Sequence, residues 1–446
     1  MCPVLHAVAS RSRAPPSSTR ALPCLLPRRI DPAADAAAAS GHAPGRADVS
    51  GDVAARDGAA LSAALLASPP TGRLLRWERA LLAPTVDVDA LRCLAWGGVP
   101  PPLRPSVYRL LAGVSSPDAA ARPQALGRKR AEYAALAATH CHAAVRLAER
   151  QATSACAARA ASAASTPLPR SNGAPTAEED GSAEDRARWD AASLRQIELD
   201  APRSAPGRSW AQAPAVQAAL RRLLLVRAMR CPATGYVQGM ADLALSLFAV
   251  FIAESACVGE ESTWAAQLNG PHGGGRPQGR GTDAALSCAE ADAFWCFSWL
   301  MDGVTDHYTA LQPGIQRKVA ALEVLVRRLD AQCAAHLKDV GIDYMQFALR
   351  WVNCLLQREV PPPLVPRLFD TYFSEGSAFP EFVLYACASF LLRWAPLLQD
   401  MDFQGAAMLL QHPPTQGWGE EDVAECFSRA HQYRVLFEGA SMGHLT

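Results

Sequence analysis

The sequence predicts an all-α fold, because its apolar residues recur at helical spacing and strand-like alternation is not evident. Tyr344, Phe347, Ala348, Trp351 and Leu355 stand three and four residues apart, which places them on one helix face. We find no convincing series of segments in which apolar and polar residues alternate, as they do in half-buried strands. We therefore expect a domain of about a dozen or more helices within residues 73–438.

The composition limits the classes of function. The chain has 446 residues, of which 50% are apolar, and its formal net charge is zero. Neutrality argues against a nucleic-acid partner and against a strong pull toward anionic membranes. Thirteen cysteines occur without a CxxC pair, which predicts neither a disulfide framework nor a zinc site and fits a reducing intracellular compartment.

The two ends and two internal segments are expected to lie outside the folded domain. Residues 1–68 are rich in Ala, Arg, Pro, Ser and Gly, and such a composition predicts a disordered tail. The first 30 residues carry five arginines and no acid, so a targeting peptide is the alternative interpretation. Two flexible inserts are expected at about 151–183 and 255–285, and residues 439–446 form a C-terminal tail.

The helices are expected in the following order. Asp87 is the predicted N-cap of the second helix, and Gly113 closes the third. From Ala289 onward the helical pattern is nearly uninterrupted, and it ends near Leu436. The expected bounds of the helices before that point are 73–82, 90–96, 106–113, about 123–150, 183–197, 214–230 and 238–254.

Membrane spans and phosphate loops are not expected. The longest apolar runs, Leu243–Ala253 and Phe382–Leu392, are about half the ~20 residues that a membrane span requires. The glycines of the second insert lack the GxxxxGK[ST] spacing and a preceding strand, so we interpret that segment as a linker. An HExxH motif is also absent from the sequence, and we recognise no self-contained active site in it.

Arg203 closes the first of two sharply defined motifs, IELDAPR. Pro202 stiffens the chain just before it, and Asp200 can pair with Arg203 or cap the backbone. A guanidinium on a stiff turn is suited to the charge that develops on a phosphoryl group. The alternative is an ordinary salt-bridged surface arginine, since only three of the 43 basic residues are lysines and arginines are abundant.

Gln238 lies in the second motif, TGYVQGM, at the mouth of an apolar helix. A buried glutamine without partners would cost about 1–3 kcal/mol, so its amide either caps the helix or serves a partner. One role is to orient a water molecule, as glutamine does in GTP hydrolysis. The alternative is a glutamine that bonds the free backbone amides at the helix start.

The two motifs together resemble the TBC-domain family of Rab GTPase-activating proteins, which combines IxxDxxR with YxQG. The similarity extends over about residues 73–438. The stretches QPGIQRKV and YMQFALRWVNCLLQREVP are most similar to the subgroup named TBC domain family member 22. The motif residues in this chain are Ile197, Asp200, Arg203, Tyr236, Gln238 and Gly239.

The resemblance implies a two-lobed, all-α domain that activates a GTPase and is not an enzyme by itself. Arg203 and Gln238 would act as two fingers beside the GTP of a bound Rab, and Asp200 would hold the arginine turn. The partner would be a Rab-type GTPase in its GTP form. No cofactor is expected for this chain, because GTP and Mg²⁺ would belong to the GTPase. Vesicle trafficking in the cytoplasm, peripherally at the Golgi or other endomembranes, is the implied setting.

Three positions depart from the family pattern. Ala241 stands where asparagine is common, Tyr108 replaces a common tryptophan, and Phe369 replaces the tryptophan of LWD. The aromatic changes should mainly affect packing. Ala241 supports the alternative of a catalytically weak, Rab-binding scaffold with a TBC fold. A generic helical repeat is disfavoured, because the chain has no fixed-period self-similarity.

Overall fold

The computed structural model describes residues 72–141, 183–255 and 280–438. Within those ranges the regular structure is helical, apart from an isolated bridge between Thr85 and Asp118. The predicted all-α class is thus confirmed. Residues 1–68 and 439–446, and most of the two predicted inserts, lie outside the described residues. None of the described helices is both long enough and apolar enough to span a membrane.

Sixteen α-helices are numbered here in chain order within the described ranges. The first eight are α1 Gly72–Leu81, α2 Val88–Trp96, α3 Arg104–Leu111, α4 122–141, α5 Ala183–Asp200, α6 Pro214–Arg230, α7 Met240–Ser255 and α8 Arg280–Gly303. The other eight are α9 Pro313–Leu329, α10 Ala331–Asp339, α11 Met345–Asn353, α12 Val365–Glu375, α13 Phe379–Arg393, α14 Ala395–Leu398, α15 Phe403–Gln411 and α16 Glu420–Glu438. Short 3₁₀ turns span Pro101–Leu103, Ala201–Arg203, Ser209–Gln212, Thr305–His307, Pro362–Leu364 and Gly376–Ala378.

Local sequence signals explain several helix boundaries. The predicted cap Asp87 accepts hydrogen bonds from the amides of Asp89 and Ala90, both at 3.0 Å, and so satisfies free donors at the start of α2. Gly113 follows α3 with a φ of 68°, a conformation that glycine adopts readily. Pro214 occupies the first turn of α6, where its missing amide hydrogen is not needed.

Several helix boundaries differ from the prediction by two or three residues, and two differ by more. The helix expected from Ala289 begins earlier, at Arg280, as α8. The helix that contains Trp351 ends at Asn353, because Leu355 and Leu356 adopt left-handed φ angles of 50° and 60°. This turn keeps both leucines buried, so apolar spacing alone does not distinguish it from a continuing helix.

The helices pack in two groups. In the first, α7 packs on α8 and α6 packs on α5, α7 and α8. In the second, α13 packs on α16 and α9, and α11 packs on α9 and α13. Helix α12 contacts both groups, since it packs on α2, α3 and α7 as well as on α13.

A buried ion pair joins α12 to α3. The Arg104 guanidinium lies 3.1 Å from the Asp370 carboxylate, which also accepts from the Tyr108 hydroxyl at 2.7 Å and the Val99 amide at 2.9 Å. Tyr108 therefore supplies a polar contact in addition to the packing expected of it. Phe369 is fully buried, as the aromatic-substitution argument predicts.

Candidate functional site

Arg203 ends a short 3₁₀ turn that follows directly on α5. The turn spans Ala201–Arg203, and Pro202 within it restricts the backbone. The Ser204 amide closes the turn by donating to the Asp200 carbonyl at 3.1 Å. Because the Arg203 side chain is exposed, this stiff backbone presents its guanidinium to solvent.

Gln238 lies in a tight turn between α6 and α7. Gly235 and Gly239 have φ angles of 55° and 103°, which glycine adopts without the steric cost borne by other residues. The Gln238 side chain is exposed, whereas Tyr236 and Gly239 on either side of it are buried. The motif thus exposes the Gln238 amide to solvent, while the residues on either side of it pack against the core.

A single hydrogen bond connects the two motifs. The Tyr236 hydroxyl donates to Asp200 Oδ2 at 3.1 Å, and Gln196 Nε2 donates to Asp200 Oδ1 at 3.2 Å. Both Asp200 and Tyr236 are more than nine-tenths buried, so the bond is shielded from water. Burial, together with the adjacent Asp200 carboxylate, raises the pKa of Tyr236 and keeps its hydroxyl proton in place.

The structure changes one expectation about Asp200. Its carboxylate contacts Tyr236 and Gln196, and the pairing with Arg203 considered from the sequence does not form. Asp200 does support the arginine turn through its backbone carbonyl, which accepts from Ser204. Ile197, three residues earlier, is completely buried and anchors the end of α5 in the core.

Neither Arg203 nor Gln238 uses its side chain in a hydrogen bond or ion pair with the described part of the chain. The surface salt bridge considered for Arg203 and the capping role considered for Gln238 are therefore both absent from the described residues. Two exposed polar groups are left available to a partner, while their neighbours Asp200 and Tyr236 are bonded and buried.

A second set of contacts holds the Gln238 turn from the other side, and the sequence analysis did not find it. Asp242, in the first turn of α7, pairs with Arg358, whose Nε lies 2.7 Å from Asp242 Oδ2. A Cβ atom on Gly239 would lie 3.4 Å from Asn353 Nδ2 and 3.6 Å from Cys354 Sγ. The turn therefore rests directly on the end of α11.

A cavity of about 440 Å³ runs beside the same turn. Its walls come from α5, the turn before α7 and the segment before α9, and its polar groups are uncharged hydroxyls and amides. These groups belong to Ser193, Gln196, Thr234, Tyr236, Tyr308, Thr309 and Gln312. Within the described ranges, no set of three His, Cys, Asp or Glu side chains is arranged to hold a metal ion.

This arrangement suits action on a partner's reacting group. A delocalised guanidinium stabilises negative charge on a phosphoryl group, and an amide can both donate to and accept from a water molecule. Both side chains are exposed on hydrogen-bonded turns, so both groups are accessible from solvent.

Comparisons with known proteins agree on one family. Residues 173–398 match the family model described as Rab-GTPase-TBC domain. The human protein TBC1 domain family member 22A is 36% identical over 86% of this chain and 64% of its own length. The GTPase-activating protein gyp1 of Schizosaccharomyces pombe is 36% identical over 82% of this chain and 62% of its own. The chain thus spans less than two thirds of the length of these relatives.

A solved structure supports the same assignment. The crystal structure of the Ypt/Rab-GAP domain of Gyp1p superimposes with a TM-score of 0.64 at 30% sequence identity. The match covers 82% of this chain and 98% of that one. From the family model, the relatives and the shared fold, we conclude that this chain belongs to the Rab-GTPase-TBC domain family.

Proposed function

We propose that this chain is a GTPase-activating protein for a Rab-type small GTPase in its GTP form. The observation that carries the proposal is the pair of exposed side chains, Arg203 and Gln238, on turns joined by the buried Asp200–Tyr236 hydrogen bond. Membership of the Rab-GTPase-TBC domain family names the class of partner.

In this proposal the chain contributes two groups in trans and the GTPase contributes the rest. Arg203 stabilises the negative charge that develops on the γ-phosphoryl group, an effect typically worth about 10³–10⁵ in rate. Gln238 orients the attacking water in place of the glutamine of the GTPase. GTP and Mg²⁺ belong to the bound GTPase, so the chain needs no cofactor of its own.

The proposed setting is vesicle trafficking. A Rab in its GTP form is the substrate, so we place the chain in the cytoplasm, peripherally at the Golgi or another endomembrane. A fluorescent fusion of the chain should colocalise there with the Rab that it activates, and a uniformly nuclear distribution would contradict this setting.

Single-turnover GTP hydrolysis across a panel of Rab proteins tests the activity. We expect the wild-type chain to accelerate at least one Rab, and Arg203→Ala or Gln238→Ala to remove most of that acceleration. Arg328→Ala and Gln404→Ala are matched controls, since both residues are exposed and lie outside the two motifs. Acceleration that survives both motif substitutions would contradict the proposed roles.

A catalytically weak, Rab-binding scaffold is the second candidate, and Ala241 is the observation that favours it. Ala241 is 2% exposed and lies three residues after Gln238, where its side chain is a methyl group without a polar atom. A chain that binds GTP-loaded Rab without accelerating any panel member would support the scaffold. Ala241→Asn would then be the variant in which to look for recovered activity.

A further inference from the structure

The Asp242–Arg358 ion pair lies close to Gln238 but has no part in either sequence motif. Both Nε and Nη2 of Arg358 approach the same oxygen of Asp242, and the Nε distance is 2.7 Å. Asp242 stands four residues after Gln238, in the first turn of α7. The pair therefore connects the helix that Gln238 introduces to a segment 116 residues away in the sequence.

The segment that contains Arg358 touches the Gln238 turn at a second point. Gly239 has no side chain, and a Cβ atom there would meet Asn353 Nδ2 at 3.4 Å. The Asn353 carbonyl in turn accepts from the Tyr308 hydroxyl at 2.6 Å, which holds the end of α11 in place. Asn353 thus packs against the Gln238 turn, and Arg358 pairs with Asp242 on α7, the helix that follows the turn.

The backbone between these two contacts is strained. Leu355 and Leu356 adopt φ angles of 50° and 60°, a left-handed conformation that is sterically unfavourable for residues other than glycine. Both side chains are buried, and the Tyr372 hydroxyl donates to the Leu355 carbonyl at 3.1 Å. Strained turns of this kind persist where the surroundings over-determine them, and they are concentrated at functional sites.

We propose that residues 353–358 form a bracket that positions Gln238, with Arg358 as the positioning residue that acts through Asp242. This inference rests on the proposed function. An amide that orients water must be held close to its productive geometry, and a displacement of about 1 Å can cost about 10² in rate. The Asp200–Tyr236 bond holds the turn before Gln238, and the bracket holds it after Gln238.

Arg358→Gln, Asp242→Asn and the double variant test the bracket with the Rab that the wild-type chain activates. We expect the maximal single-turnover rate to fall about 10- to 100-fold, with the half-saturating concentration of the chain within about twofold of wild type. The double variant should be no slower than either single variant, because both remove the same ion pair. Arg358→Lys should recover part of the rate, since an ammonium group can still reach one carboxylate oxygen.

Arg393→Gln is the matched control. Arg393 also pairs with carboxylates, those of Asp422 and Glu425, but on α13 and α16, and it should retain the wild-type rate. Thermal unfolding of each variant separates positioning from stability. If Arg358→Gln is unfolded at the assay temperature, the maximal rate of Asp242→Asn tests the positioning role, because this substitution preserves side-chain size.

Three outcomes would overturn the bracket. An unchanged maximal rate in folded Arg358→Gln would show that Gln238 needs no such support. A raised half-saturating concentration with an unchanged rate would make Arg358 a direct contact of the GTPase. A wild-type chain that activates no Rab would contradict the proposed function and the bracket together. If the wild-type chain is active and Arg358→Gln has the same rate, the bracket alone is contradicted.

Discussion

The Tyr236 hydroxyl makes the hydrogen bond that connects the two motifs. Its partner Asp200 is buried, so the carboxylate needs hydrogen bonds in place of water, and Tyr236 and Gln196 supply them. Arg203 and Gln238 each lie within three residues of this bond. Their relative placement therefore depends on a contact that neither of them makes.

Tyr236→Phe removes that hydroxyl and little else. We expect a loss of about 1–3 kcal/mol in the free energy of unfolding, because the buried carboxylate keeps only its bond from Gln196. We also expect a lower GTPase-activating rate. Urea unfolding and single-turnover hydrolysis measure the two effects. Tyr433→Phe, at a half-buried position on α16 away from the motifs, should change neither, and an unaltered Tyr236→Phe would contradict the account.

His307 gives the stability a pH dependence. It is fully buried, and burial together with nearby Lys318 lowers its pKa to about 4, while Asp306 acts in the opposite direction and Arg317 adds to the lowering. An unfolded histidine titrates near 6.5, so between about pH 4 and 6.5 the unfolded chain binds a proton that the folded chain does not. Stability contributed by neutral His307 is therefore lost as the pH falls below about 6.5.

The corresponding measurement is urea unfolding at pH 7 and pH 5. Wild type should lose about 2 kcal/mol more than His307→Gln over this interval, since the glutamine cannot titrate. The comparison between the two proteins removes the contribution of other titratable groups, which both share. Equal losses in the two proteins would contradict a depressed pKa for His307.

Among the helices, α12 connects the two groups, because it packs against both of them. Its Asp370 neutralises the buried Arg104 and accepts from Tyr108 and Val99. That carboxylate accepts from four donor groups and has no access to water. Its loss would leave the buried Arg104 guanidinium with the exposed Glu420 carboxylate, 3.5 Å away, as its remaining ionic partner among the described residues.

Asp370→Ala should destabilise the domain by about 3–5 kcal/mol, as expected when one member of a buried pair is removed. Asp89→Ala is the comparison, because Asp89 pairs with Arg92 on the surface, where such pairs contribute about 0–1 kcal/mol. Differential scanning calorimetry of the two variants gives the measurement. A melting temperature of Asp370→Ala equal to that of Asp89→Ala would contradict the role assigned to α12.

Local sequence signals predicted most of the helices. The helix boundaries that they missed involve contacts between residues distant in the sequence. Proline and periodic apolar residues predicted the bounds of α6, Pro214–Arg230, as the structure has them. The end of α11 was not predicted, because Leu355 fits the helical stripe equally well. The Leu355 carbonyl within that left-handed turn accepts from the Tyr372 hydroxyl, which lies 17 residues further on and is a contact that spacing does not reveal.

The same distinction applies to the candidate site. Arg203 and Gln238 could be selected from motif spacing, which is local. Arg358 could not, since it is one arginine among many and its partner Asp242 lies 116 residues away. No spacing rule connects those two positions, so only the tertiary structure reveals the pair.

At the scale of the whole molecule, the Gln238 turn lies where the two groups of helices meet. Asp200 and Tyr236 hold it from the first group, and Asn353 and Arg358 hold it from the second. Any shift between the groups would therefore move Gln238 relative to Arg203.

We propose that Gln238 supplies the water-orienting amide in trans. The most direct test is single-turnover hydrolysis by a GTP-loaded Rab whose own catalytic glutamine is replaced by alanine. We expect the wild-type chain still to accelerate this GTPase and Gln238→Ala not to do so. If the chain accelerates the intact Rab but leaves the glutamine-less Rab at its unassisted rate, the GTPase supplies its own amide and the claim is wrong.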